Sequence, residues 1–279
     1  MESSGETMQM SSTTGFENVD TSGRSEELVD YLMFFADLVA DNRRRGLEML
    51  NLQAGAAVLD VGCGAGEVCV DLARRVGPRS RVVGIDFSET MIHKARETAA
   101  SSGQDVEFHV ASVYRLPFAD QTFDVVRAER LFQHLDDPES ALAEMVRVTR
   151  TGSQIMLVDF EHGQWSMSLD DPLDWMVFEV LRRALLRKVI NPHSGVRLRG
   201  MMQRIGLTDL KHLTTTLELT YPDLWRAIRL GEILAASVND GSITREDVDA
   251  FAASLQARHR AGIFLANMVG YSAIGRRIE

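Results

Sequence analysis

Cysteine is scarce in this chain, with only Cys63 and Cys69 among 279 residues. Two thiols six apart, with no His or Cys partner at ligand spacing, make neither a zinc site nor a disulfide framework. The chain therefore reads as reduced, cytoplasmic and without a metal. Positive charge is also short: 30 Lys and Arg face 40 Asp and Glu, a net charge of -10. That balance repels phosphate backbones, and no basic block interleaved with aromatics offsets it, so nucleic acid is not an expected partner. No apolar run reaches the roughly 18 residues of a membrane span, and no charged-then-apolar signal segment opens the chain. Internal repeats and low-complexity linkers are missing too.

What is present is ordinary for a globular protein: 45% hydrophobic and 25% charged residues, enough chain for one large α/β domain or two small ones. Residues 1–24 are rich in Ser, Thr, Gly and Glu and read as a disordered tail or mobile lid. Residues 25–279 read as one domain. Ser25 could cap a helix in which Leu28, Leu32, Phe35 and Leu38 recur at helical spacing, running with a break to about Leu50. Strands are expected at Ala57–Val61, Arg81–Ile85, Val106–Val110, Phe123–Ala128 and Gln154–Phe160. Helices are expected at Gly66–Val76, Glu89–Ala100 and Pro138–Val148. Such alternation implies a parallel sheet covered on both faces. Beyond it, helices are expected at Leu173–Lys188, Gly195–Ile205, Tyr221–Ala236 and Thr244–Arg260, with strands at Asp209–Leu219 and Ile263–Ser272.

The run Val58-Leu59-Asp60-Val61-Gly62-Cys63-Gly64-Ala65-Gly66-Glu67 carries the most information. A buried strand enters a tight turn in which backbone must approach a ligand closely, and glycine permits this. Asp86, at the end of the second strand, suits a bidentate contact to two ribose hydroxyls. Gly66 comes one residue early for the dinucleotide fingerprint, and Glu67 would oppose a pyrophosphate there. A nucleoside-type cofactor with a free ribose fits better.

These residues, with Val83-Gly84-Ile85-Asp86, Leu116-Pro117-Phe118, Phe123-Asp124-Val125-Val126, Leu131-Phe132-Gln133-His134-Leu135 and Ala143–Val148, resemble the class I S-adenosylmethionine-dependent methyltransferases. Within that class they are similar to the small-molecule subgroup that includes the ubiquinone and sterol methylating enzymes. The resemblance covers roughly residues 28–160. It implies a Rossmann-like, doubly wound, mostly parallel seven-stranded sheet with the last strand antiparallel, carrying added N- and C-terminal helices. Residues 25–160 would form the cofactor-binding core and 161–279 the acceptor-binding additions.

The resemblance also assigns roles. Gly62, Cys63, Gly64 and Gly66 lie along the methionine part of the cofactor, with Asp60 positioning the turn. Asp86 holds the ribose, Phe87 and Met91 flank the adenine, and Ser112 and Val113 border its edge. Ala128 offers its carbonyl to the cofactor's amino group, and Tyr31 or Phe35 closes the site. Ser112 stands where the family often has an acid, and Thr151-Gly152-Ser153 replaces its Pro-Gly-Gly turn.

Methyl transfer is an in-line displacement that needs alignment and exclusion of water, with a base only where the nucleophile must lose a proton. His134, His162 and Glu129 are the candidate catalytic groups, though His134 could be structural and His162 part of an ordinary polar loop. Arg130 could orient cofactor or substrate. One of Arg43, Arg44 and Arg45 could reach the cofactor carboxylate, the alternative being a solvated helix face. Phe35, Trp165, Trp175, Phe178, Tyr221 and Trp225 are candidates for an apolar acceptor pocket, against the plainer reading that they pack helices together. The expected activity is methyl transfer from S-adenosylmethionine, yielding S-adenosylhomocysteine, to the oxygen of a small apolar metabolite of secondary metabolism. The alternative is a non-methylating cyclase that keeps the cofactor as structure. The terminal helices offer faces for a homodimer.

Overall fold

The computed structural model describes residues 19–21 and 23–278. Two helices come first, α1 (Ser25–Leu38) and α2 (Ala40–Leu47). Alternation follows: β1 (Ala57–Val61), α3 (Glu67–Val76), β2 (Arg81–Asp86), α4 (Glu89–Ser102), β3 (Glu107–Val110), β4 (Phe123–Glu129), a single 3-10 turn at Phe132–His134, α5 (Pro138–Val148) and β5 (Thr149–Met167). The remainder is α6 (Pro172–Lys188), α7 (Ser194–Arg204), β6 (Thr208–Leu219), α8 (Tyr221–Ala227), α9 (Leu230–Asn239), α10 (Arg245–Arg260) and β7 (Ala266–Arg276).

The seven strands form one sheet in the order β3-β2-β1-β4-β5-β7-β6. Pairing is parallel from β3 through β5, and β7 runs antiparallel to both neighbours. Side chains alternate between the faces, as a period of two requires. Val58 packs with α3 and α4 on one face, while Leu59 and Val61 pack with α5 and α7 on the other. All three are fully buried, which stabilises by roughly 1.5–3 kcal/mol for each Val or Leu. Helices α6, α8, α9 and α10 enclose a third apolar cluster beyond the ends of β5, β6 and β7. Chain order reverses between β1 and β4, and clefts form at the carboxyl ends of strands at such a point.

Local chemistry explains where helices begin. Ser88 accepts from Met91 N (3.2 Å) at α4, and Asp137 accepts from Ser140 N (3.0 Å) ahead of Pro138 at α5. Thr220–Asp223 and Thr244–Asp247 form reciprocal capping boxes at α8 and α10.

The structure departs from the sequence reading in several places. The expected Tyr221–Ala236 helix is two, separated at Arg229, whose φ of +52° cannot continue a helix. The last strand is shifted to Ala266–Arg276. Strand β5 continues to Met167 because β7 pairs with it across a bulge between Glu161 and Trp165, so Glu161, His162 and Trp165 lie on a strand and not in a loop. Most of the expected tail lies outside the described residues, but Val19 is buried against Leu28 and Met91. Asp20 adds a second cap to α4, accepting from Ser88 Oγ (2.7 Å), Glu89 N (3.0 Å) and Thr90 N (3.1 Å).

Gly66 joins the turn after β1 to α3 with φ +84°, and a Cβ there would meet Ala95 Cβ at 2.9 Å and its Cα at 3.0 Å. Gly103 shares the left-handed conformation but has nothing within 4 Å. Gly103→Ala should therefore cost only the backbone penalty, ~1 kcal/mol, and Gly66→Ala about 3 kcal/mol once overpacking is added. Urea unfolding of the two variants checks the difference.

Candidate active site

A cavity of about 440 Å³ opens at the carboxyl ends of β1, β2 and β4. That volume lies within the ~300–1,000 Å³ usual for cofactor and small-molecule sites. Gly62 and Gly64, both with positive φ (+73° and +53°), lay the backbone of the first turn along its wall. The amides of Gly62 and Cys63 donate to Ile85 O (2.8 and 2.9 Å), which ties the turn to β2. Asp86 sits across from it. Its Oδ2 accepts from Gly64 N and its Oδ1 from Ser88 N, each at 3.0 Å. Burial raises the Asp86 carboxyl above its ordinary range, against the pull of those amides. Phe87, Met91, Ser112 and Val113 line the same cavity with Asp60 and Cys63.

A buried chain of alternating charge forms the floor. Arg127 Nη1 donates to Asp60 Oδ1 (2.8 Å) and Nη2 to Glu129 Oε2 (2.5 Å). Arg43, from α2, grips the same carboxylate through Nε (3.0 Å) and Nη2 (3.1 Å). Burial works against the Glu129 charge, but the two guanidinium groups outweigh it and hold the carboxyl at about 2. Glu129 is thus a fixed anion, unsuited to take a proton, and its place in the site is electrostatic. Asp60 is raised by burial, with Arg127 opposing. Of the three consecutive arginines, Arg43 alone lines the cavity, while Arg44 turns out to Glu48.

A second, smaller cavity of about 80 Å³ adjoins the first, and Arg130 and His134 line both. Tyr31 and Phe35 of α1 cover it, and Phe160, His162, Val189, Ile228 and Met268 complete much of its wall. A polar thread crosses its edge. His162 Nε2 is 2.7 Å from Gln133 Oε1, and Gln133 Nε2 is 2.9 Å from His134 Nε2. With the amide so oriented, His162 donates to Gln133, and Gln133 donates to His134. Burial, then Arg130 and His162, pushes His134 down to about 3; burial, then Arg130 and His193, pushes His162 down to about 4. Both rings are neutral near pH 7 and are weak bases. Buried Asp159, pushed up to about 7 by burial, accepts from Gln133 N (3.0 Å) behind this thread.

Several candidates stand elsewhere. Tyr31 lines the second cavity and not the first, its hydroxyl donating to Ala227 O (2.9 Å). Ala128 is buried between Val61 and Leu157, so the wall at this point is made by the next residues, Glu129 and Arg130. Gly66 packs on Ala95 and Phe108 behind the turn. Trp165, Phe178, Tyr221 and Trp225 belong to the helical cluster, and Trp175 is 45% exposed; none lines either cavity. Their periodicity reflects helix packing, the plainer of the two readings. The sequence reading missed Arg127 and Gln133. Arg127 stands out only as a cation within an apolar strand, and Gln133 has no signal of its own.

Residues 52–184 match the family model of the methyltransferase domain. The ubiquinone/menaquinone biosynthesis C-methyltransferase UbiE of Bordetella avium is 26% identical over 243 residues, 78% of this chain and 93% of that protein. The first three curated relatives align over less, and the chain covers only 41%, 53% and 37% of their lengths. Among solved structures, the YcgJ protein of Bacillus subtilis superposes with a TM-score of 0.56 at 22% identity, covering 84% of this chain and 96% of that one. The cyclase SpnF gives 0.52 at 19%, covering 85% and 80%. At these identities the structural likeness is one of fold. Over residues 52–184 the chain is similar to the methyltransferase-domain family, and its fold agrees with the one expected of an S-adenosylmethionine-dependent member.

The residues present fit that cofactor. Asp86 faces the cavity with two carboxylate oxygens for vicinal hydroxyls, and Glu67 Oε1 is buried at the cavity without a hydrogen-bond partner. An unmatched buried acceptor suits an ammonium group. Beside it Arg43 offers a cation for a carboxylate. Among the described residues no cluster of metal-ligating side chains occurs, and no helix is long and apolar enough to cross a membrane.

Two outcomes follow from these buried charges. Arg127→Met leaves Asp60 and Glu129 buried with one partner fewer, and should cost ~3–5 kcal/mol in urea unfolding, well beyond the loss of an exposed pair. The histidines make stability depend on pH. The unfolded chain protonates them below their ordinary 6.5, whereas the folded protein does so only near 3 and 4. The unfolded state binds more protons in between, so stability is full above about 6.5 and declines as pH falls toward 4. The double variant His134→Asn/His162→Gln should show a shallower decline when urea midpoints are compared across that range.

Proposed function

We propose that this protein transfers a methyl group from S-adenosylmethionine to an oxygen of a small, largely apolar metabolite held in the second cavity. The observation that carries the proposal is that Arg130 and His134 line both cavities. A donor in the first and an acceptor in the second would meet beside those two side chains. Residues 25–160 supply nearly all of the cofactor cavity, while the second half contributes His162, Leu185, Val189, Ile228 and Met268 around the acceptor.

When bound, the cofactor supplies a methyl group activated by a sulfonium, an excellent leaving group. The protein's part is alignment and exclusion of water. Asp86 and the Gly62–Gly64 turn fix the nucleoside end. Glu67 and Arg43 meet the amino and carboxylate ends. Tyr31 and Phe35 close the acceptor side. As the new oxygen–carbon bond forms, the carbon–sulfur pair returns to sulfur. The weakly basic histidines favour an acceptor that needs little help in losing its proton.

The quinone relatives methylate carbon according to their name, and the fold is shared with a cyclase, so fold by itself does not select the reaction. Oxygen transfer in secondary metabolism is our reading, supported by the small volume and apolar wall of the second cavity. A cytoplasmic protein acting on a free small molecule is consistent with the acidic chain and the paucity of cysteine.

The test is incubation with S-adenosylmethionine and a panel of phenols, enols and reduced quinones, read by mass. A gain of one methylene with formation of S-adenosylhomocysteine is expected. Turnover without mass change would point to the cyclase reading instead. Asp86→Ala should weaken S-adenosylhomocysteine binding by about 100-fold in calorimetry, since two charge-assisted hydrogen bonds are lost. Unaltered affinity would remove Asp86 from the site.

A further inference from the structure

The charge of the second cavity goes beyond the choice of reaction. Among the described residues three cations line it, Arg130, Lys188 and Arg229, and no Asp or Glu does. Lys188 and Arg229 are engaged: Lys188 Nζ lies 3.6 Å from Glu232, and Arg229 pairs with Glu27 and with Glu232. Arg130 makes no ion pair among the described residues. Its sequence neighbour Glu129 is held by Arg43 and Arg127, and Asp159, one oxygen of which accepts from the Gln133 amide, interacts with Arg130 only through space.

Arg130 is also held in place. Its guanidinium lies 3.8 Å from the centre of the Phe35 ring and 5.7 Å from that of Tyr31. Its amide donates to Val158 O (2.7 Å), and its φ is +57°, a left-handed conformation that an arginine rarely adopts. Strain of this kind collects at functional sites. The outcome is a fixed cation between two cavities, one side against aromatic faces and the other toward the junction.

We propose that the second cavity takes its acceptor as an anion, a phenolate or enolate whose ionised oxygen is met by Arg130. This rests on the methyl-transfer reading and names its substrate class. An oxygen that arrives ionised forms its bond to the methyl carbon while the carbon–sulfur pair returns to sulfur, and no proton has to be removed. That agrees with a site whose two histidines are neutral and weakly basic. The cavity's size, about 80 Å³, admits one planar ring at the junction, with any larger substituent reaching beyond it. Arg130 is then a specificity-determining residue that touches the reacting oxygen.

The probe is 4-nitrophenol, whose phenolate is yellow and whose neutral counterpart is nitrobenzene. Both are titrated into the full chain saturated with S-adenosylhomocysteine. The bound phenol should ionise at a pH lower by about one unit or more than in water, as expected beside a close opposite charge, and nitrobenzene should bind at least tenfold more weakly. Arg130→Gln should abolish both the shift and the preference, and Arg130→Lys should restore part of them, each variant being measured at its own saturating S-adenosylhomocysteine concentration. Equal binding of the two probes to the wild type would overturn the proposal, as would a phenolate preference that survives in Arg130→Gln. Failure of the wild type to bind S-adenosylhomocysteine would overturn the methyl-transfer reading and this proposal with it. Binding of that product without a phenolate preference would sink the present proposal alone.

Discussion

Two acids and two arginines, buried in alternation where β1, β4 and α2 meet, constrain everything around them. A buried charge costs several kcal/mol unless it is paired, and each member of Asp60–Arg127–Glu129–Arg43 is paired only while the others stay in place. The strands β1 and β4 are neighbours through backbone hydrogen bonds, but α2 belongs to no sheet. Its docking is secured by Arg43, because Glu129 would otherwise face the cavity with one partner fewer. Once α2 is set, α1 follows it across the short break at Val39. Tyr31 and Phe35 are thereby carried over Arg130, where they cover the second cavity.

The same chain divides labour within the site. It places fixed negative and positive charge on the floor of the first cavity, so that on the proposed reading the zwitterionic end of the cofactor would meet charges already in position with no reorganisation. The neighbouring space is different. Its histidines are kept neutral by burial and by the nearby Arg130, so its acid–base capacity is low, and among the described residues Arg130 is the cation of its wall that makes no ion pair. A site built this way relies on position and electrostatics more than on proton transfer.

Much of the wall of the first cavity was legible because the signals there are local. Asp60, Gly62, Cys63, Gly64, Asp86 and Met91 lie within about 30 residues of one another, on strands and turns whose apolar periodicity and glycine spacing are read directly. Their cavity follows from the parallel alternation, since such sheets open at the carboxyl ends of their strands. Errors arose where a residue's neighbour in space is distant in sequence. Ala128 and Gly66 stand at family positions, but contacts from β5 and α4 bury them away from the cavity. His162 seemed to belong to a loop because the pairing that extends β5 comes from β7, a hundred residues later.

The sequence by itself determined the parallel core, the glycine turn, the acid that ends β2 and the acidic, cysteine-poor character of the chain, because these depend on residue type and spacing over one or two elements. Tertiary structure alone decided which charges are paired, which aromatics line a cavity, and which basic groups are weakened. Arg43, Arg44 and Arg45 are equivalent as letters, yet only Arg43 reaches Glu129. Trp165 and Phe35 are equally apolar, yet only Phe35 faces a ligand space. His134 and His162 would each pass for a general base until burial and Arg130 are known. Pairing, exposure and proton affinity are properties of distance and local dielectric, and these come into being only when segments far apart in the chain pack together.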